Sequence, residues 1–266
     1  MKKILLTLCL VLSFGIAKES LVVLDPASIE IIYMLGGEKQ ILAIAKMQNS
    51  TIYPEEKTSQ LKSVGTFSNP SLEQIIALKP TAVILSSYSL GLKENLERFG
   101  IKTLYLKADS LDQIAQNIKT LGEIVGKEAN AKTLIADYEA RIKHLQEHPL
   151  DKRGVFIYSA APLMVFPPDT LPGDVFKTIG IENIAKDTAG KRPILSQEYI
   201  LQSNPEVILY GLRIHDESEL LKANPLLSKT KAAKEKKMYY LDIHSLLRGT
   251  PRIIEQIEAI YKQISD

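Results

Sequence analysis

A handful of polar and aromatic side chains near the ends of apolar runs, and one recurring pair of glutamates, are the residues here that could do chemistry. Glu73 stands in Ser71-Leu72-Glu73 and Glu198 in Ser196-Gln197-Glu198, 125 positions apart (198 − 73). Each segment continues to a proline, Lys79-Pro80 and Asn204-Pro205, and then to an apolar run. Serine takes the N-cap of a short helix, the first-turn acid faces the positive helix end, and proline stops the helix before a buried strand. As helix-end charges alone, such acids contribute about 0.3–1 kcal/mol each. The other candidates are Thr66, Phe67, Tyr88, Tyr158, Arg192, Arg213, His215 and His244. Their rings offer apolar walls, the arginines meet negative charge, and the histidines are potential metal ligands. His144 and His148 have i, i+4 spacing, which suits a metal, but they sit on a long polar helix and read as a solvated face. There is no nucleophile elbow or phosphate loop, so nothing in the chain reads as catalytic.

The elements that must position these residues follow from the repeat. A period of about half the chain is too long for a solenoid and predicts two similar α/β lobes. In the first, short strands at Leu21–Leu24, Ile41–Ala45, Val83–Leu85 and Thr103–Leu106 alternate with helices, the first beginning near Ile29. Alternation of this kind predicts a mainly parallel sheet covered on both faces. Lys46 to Lys62 reads as a polar loop. Glu128 to about His148 lacks Gly and Pro and keeps Ala131, Leu134, Ile135, Tyr138, Ile142 and Leu145 at helical spacing. That predicts one stiff helix, roughly 30 Å long, as the crossing between lobes, with little hinge motion. The second lobe opens on the strand Val155–Tyr158, with Val165-Phe166 as a hairpin arm. It continues through the second repeat and Met238–Leu241, then a loop from Asp242 to Gly249 and a helix from Pro251 to Ile264. The fold class is α/β, two Rossmann-like lobes joined by one long rigid α-helix. The boundaries are 1–17 signal peptide, 18–126 first lobe, 127–149 connecting helix and 150–266 second lobe.

Composition sets the class and the compartment. With 45% apolar and 24% charged residues the chain is ordinary for a globular protein, and a net charge of +2 gives no case for nucleic-acid binding. Lys234-Glu235-Lys236-Lys237 is a short solvated turn. Met1-Lys2-Lys3, the apolar Ile4–Phe14 and the small Gly15-Ile16-Ala17 read as a secretory signal cleaved after Ala17. Cys9, the only cysteine, lies within that segment behind Leu8, which disfavours a lipid anchor there. A mature chain without cysteine suits an oxidising compartment.

With these features laid out, the chain resembles the periplasmic substrate-binding proteins of the iron-complex and cobalamin class that serve ABC importers. The carriers are Pro26-Ala27-Ser28-Ile29-Glu30, Leu35-Gly36-Gly37, Val64-Gly65, Ser71-Leu72-Glu73, Leu78-Lys79-Pro80, Asn183-Ile184-Ala185, Ser196-Gln197-Glu198, Asn204-Pro205 and Ser245 through Pro251-Arg252-Ile253. Order and spacing together carry the resemblance over nearly all of the mature chain. It implies two lobes with a ligand cleft between them, at the carboxyl ends of the strands, where open α/β sheets bind ligands generally. It further implies that Glu73 and Glu198 dock onto arginines of a dimeric permease of the inner membrane. Arg213 matches an arginine of siderophore-binding relatives, Phe67 the aromatic under the ligand in cobalamin-binding relatives, and Thr66 stands where haem-binding relatives carry an iron-ligating Tyr. The implied protein is a periplasmic monomer, not an enzyme and without a resident cofactor, that binds an iron chelate, a ferric siderophore first, or a corrinoid. Cobalamin and haem are the alternatives within the family. A nickel or zinc binder and a chelatase-like enzyme are the alternatives outside it, and the residues that would hold a metal are left open.

Overall fold

The computed structural model describes residues 19–48, 50–188, 190 and 193–265. Two sheets are built from strands β1 (Leu21–Val23), β2 (Ile41–Lys46), β3 (Ser63–Thr66), β4 (Asn69–Pro70), β5 (Ala82–Leu85) and β6 (Lys102–Tyr105), then β7 (Lys152–Ala160), β8 (Leu163–Val165), β9 (Ile181–Asn183), β10 (Val207–Gly211) and β11 (Met238–Leu241). The first sheet runs β4-β3-β2-β1-β5-β6 and is parallel except for β4. The second runs β11-β10-β7-β8, with β9 also on β7, and only β8 is antiparallel. β1 lies between β2 and β5, so the chain first builds outward on one side of β1 and then on the other. Such a reversal leaves a crevice at the carboxyl ends, here beside Asp25 after β1 and Ser86 after β5.

Both copies of the repeat form the same unit. The Ser71 hydroxyl accepts from Gln74 N at 3.3 Å, and that of Ser196 from Tyr199 N at 3.1 Å. Helices Leu72–Ala77 and Gln197–Ser203 follow. Lys79 (φ 49°) and Asn204 (φ 46°) then take the left-handed conformation just ahead of each proline. The apolar runs become β5 and β10, fully buried on both faces as parallel strands require.

Glu128–Glu147 is a single twenty-residue helix between the sheets. One apolar cluster runs from Leu21, Ile44 and Ile84 through Tyr138 and Leu145 of that helix to Phe156, Phe176 and Ile257. Polar ties reinforce it across the halves. Arg141 holds the Glu258 carboxylate through Nε (2.8 Å) and Nη2 (2.5 Å), and the Tyr261 hydroxyl donates to His148 O at 2.8 Å. Leu111 N donates to the Asp174 carboxylate at 2.8 Å. A continuous core with ties of this kind disfavours wide hinge motion. The expected radius of gyration, roughly 18 Å for this size, should change by less than about 1 Å on ligand binding; a fall of several Å in solution scattering would contradict a stiff connection.

Local chemistry moves several boundaries. The first helix is Pro26–Leu35, three residues ahead of Ile29, because the Asp25 carboxylate caps it from Ser28 N at 2.8 Å and proline suits its first position. Asp242–Gly249 is not a plain loop: Asp242 caps a helix over Ile243–Leu247. A helical turn, Glu55–Thr58, interrupts the polar segment after β2. The closing helix spans Ile253–Ser265.

Candidate functional site

Of the expected site residues, Phe67 and Tyr88 come together. Gly65 holds φ 114° at the end of β3, where an added Cβ would stand 2.6 Å from Asn69 O, so only glycine makes this turn. The turn sets Thr66 against Asn69 N, which donates to its hydroxyl at 3.2 Å, and brings Phe67 N to Lys46 O at 2.9 Å. Tyr88 follows β5 on a turn in which Ser86 N donates to the Ser89 hydroxyl at 2.8 Å. The Phe67 and Tyr88 rings lie 4.9 Å apart and tilted by 55°, and Tyr88 is 67% exposed. Phe67 is half-buried, so the free apolar surface at these strand ends is chiefly the Tyr88 ring.

The second half presents different chemistry. Leu212 takes φ 61° after β10, an unfavourable conformation for a bulky residue. The bend returns Arg213 N to Tyr158 O at 3.3 Å and leaves the Arg213 side chain exposed, without an ion pair among the described residues. Tyr158 is 7% exposed and packs on half-buried Phe166, their ring centroids 4.5 Å apart. β7 is covered on both faces from Gly154 onward, and a residue near its end is not thereby at the surface. His215 is exposed, its N–H donating to the Glu219 carboxylate at 3.0 Å. Arg192 lies outside the described residues. Glu73 and Glu198 are both exposed in the first turns of their helices.

Between the halves lies a cavity of about 530 Å³. Glu30, Ser50, Thr51 and Tyr53 line it from the first half, and Asp242, His244, Ser245, Arg248, Thr250 and Arg252 from the second. Of the residues singled out from sequence, only His244 is among these, so the polar heart of the crevice was missed. Its signal was present: Glu30 and Arg252 fall within two of the segments that carried the family resemblance. A larger cavity, about 950 Å³, opens at the opposite edge of the first sheet, against Leu21, Ala82 and Lys102 at the amino ends of β1, β5 and β6. The smaller one is the candidate site, because it joins both halves at the strand ends where polar groups converge.

Electrostatics single out two acids here. Burial pushes the Glu30 carboxyl above the usual glutamate range, against the opposing pull of Tyr53 N–H, Arg248 and Arg252. Burial also raises the Asp25 carboxyl, against its hydrogen bonds from Ser28.

Residues 21–243 match the sequence model of the family described as periplasmic binding protein. The chain belongs to that family, the substrate-binding proteins of ABC importers. A vitamin B12-binding protein of Vibrio campbellii is 31% identical over 195 residues, covering 71% of this chain and 70% of the relative. A ferric-anguibactin-binding protein of Vibrio anguillarum is 27% identical over 208 residues, with 70% and 63% covered. The crystal structure of a periplasmic haem-binding protein of Vibrio cholerae superposes with a TM-score of 0.80 at 22% identity, covering 93% of this chain and 99% of that one, which shows a shared fold. Relatives in this family are substrate-binding proteins rather than enzymes, and they include periplasmic proteins and a lipoprotein. Among the described residues no helix is long and apolar enough to cross a membrane.

Proposed function

We propose that this binding protein captures a bulky metal chelate, a ferric siderophore first, between its lobes and hands it to a dimeric permease. The observation that carries the reading is the chemistry at the strand ends: the Phe67–Tyr88 ring pair with Tyr88 exposed in the first half, and in the second an exposed Arg213 without an ion pair among the described residues. Rings hold the organic body of a chelate, and a guanidinium holds its negative charge. Among the described residues no three His, Cys, Asp or Glu side chains gather as a bare-ion site requires, which favours a ligand that brings its own donors. The ferric-anguibactin-binding relative is in keeping with this reading. A corrinoid is the second reading, favoured by the vitamin B12-binding relatives and by the position of Phe67. Calorimetric titration with ferric catecholate and hydroxamate chelates, haem and cyanocobalamin discriminates among these, and binding of bare zinc alone would overturn the proposal.

Glu73 and Glu198 are assigned in this reading to the permease, one contact from each lobe. The leader Met1–Ala17 directs export and is removed. Intact-mass measurement of exported protein is expected to begin at Lys18; a retained leader or a lipid on Cys9 would contradict this.

A further inference from the structure

The connecting helix ends on two histidines that chelate capture leaves unused. His144 lies in its last turn and His148 is its C-terminal cap, and both side chains are exposed. Their ring centroids stand 4.6 Å apart, with the planes tilted by 49°. Residues four apart on a helix share a face. Ring centres this close allow one ion to bridge two nitrogens, at about 2.0–2.1 Å from each.

A second observation concerns His148 itself. Its Nδ1 lies 2.8 Å from His144 O. A carbonyl can only accept, so in the neutral ring Nδ1 carries the proton and Nε2 keeps its lone pair for an ion. Histidines that ligate metals are commonly oriented in this way, with the other ring N–H donated to a backbone carbonyl. The backbone beneath the ring is held as well. His148 N donates to Leu145 O at 3.2 Å, and His148 O accepts from the Tyr261 hydroxyl at 2.8 Å. The ring is therefore oriented before any ion arrives.

The charges around the pair do not oppose a cation. The carboxyl end of a twenty-residue helix carries partial negative charge. Glu258 of the closing helix, held by Arg141, is near enough for a charge interaction with His144. Lys143 is engaged by Glu147 at 3.7 Å. His144-Leu145-Gln146-Glu147-His148 also has the spacing by which some zinc hydrolases present two ligands and a base from one helix. Here Glu147 is paired with Lys143 and neither cavity described above includes these residues, so the inference is binding and not catalysis.

We propose that His144 and His148 form a reversible surface site for a divalent transition-metal ion, Cu²⁺ first with Ni²⁺ and Zn²⁺ behind it, separate from the crevice. Imidazole suits these ions, and copper leads the general affinity order. Two imidazoles fall short of the ligand set of a resident zinc centre, so water completes the shell and the ion exchanges readily. The inference does not depend on which chelate the crevice takes.

Cu²⁺ added at neutral pH to the full mature protein, labelled with nitrogen-15, tests this without any variant. Paramagnetic broadening of amide signals should be strongest at 144–148 and extend to Glu258 and Tyr261. Broadening strongest at His215, at His244 or at the amino terminus would overturn the proposal. Electron paramagnetic resonance at one equivalent should show two imidazole nitrogens on the copper, and one or none would contradict the bridge. His144→Ala and His148→Ala should each weaken Cu²⁺ binding about tenfold or more in calorimetry. Affinities within about a factor of two of the wild type in both variants would also overturn the site. Titration of the double variant with ferric catecholate, ferric hydroxamate, haem and cyanocobalamin should reproduce the wild-type affinities, which keeps this site distinguishable from the crevice. Joint loss of copper and chelate binding there would contradict a separate site. Zinc binding that disappears in the double variant supports the pair, and zinc binding that persists overturns it as the seat of that ion.

Discussion

Glu73→Ala and Glu198→Ala are each expected to cut reconstituted uptake at least tenfold while leaving ligand affinity unchanged. The two carboxylates stand at equivalent helix starts, each behind a serine cap, and both are solvent-exposed. On the docking proposed above, two charges presented by one stiff body would act as a bivalent ligand for the permease, so the second contact would form at high effective concentration and its loss would be disproportionate. Folding should change by no more than about 1 kcal/mol, the value of a first-turn acid at a helix end. Affinity by calorimetry, melting temperature and uptake in proteoliposomes separate these effects. Full uptake by both variants would leave the pair as helix-end charges.

Arg213→Ala should weaken binding of an anionic ferric chelate by roughly 10- to 150-fold, since a hydrogen bond to a charged group contributes about 1.5–3 kcal/mol. The backbone supports this assignment. A left-handed Leu212 is costly, and here its effect is to bring Arg213 to the end of β10 beside Tyr158. Arg213→Lys should recover part of the loss, because charge is kept while the planar fork is not. A neutral corrinoid should be much less sensitive. Affinity unchanged within a factor of two for every chelate tested would make Arg213 a bystander.

What was legible in the sequence was local. Ser71 and Ser196, prolines 80 and 205 and the apolar runs after them specify the same capped helix and buried strand twice, and each signal lies within fifteen residues of its effect. The connecting helix was legible because nothing between Glu128 and Glu147 breaks its spacing. The pairing of Phe67 with Tyr88 joins loops after β3 and β5, which β2 and β1 separate in the sheet, and no local signal in the sequence reports that order. The Glu30–Arg248–Arg252 cluster joins residues more than two hundred positions apart and leaves no periodic trace. Tyr158 shows the limit from the other direction, since nearness to a strand end says nothing of which faces are covered. The short helix after Asp242 was missed because one capping carboxylate, not composition, starts it.

The central claim is capture of an intact metal chelate in the crevice between the lobes, and native mass spectrometry of protein purified from the cells that produce it tests it most directly. The account predicts a bound mass equal to one chelate with its metal, isotopically iron or cobalt, that is lost on unfolding and diminished in a variant lacking the Phe67 ring. Protein that carries a bare divalent ion, with no organic mass beside it, would contradict it.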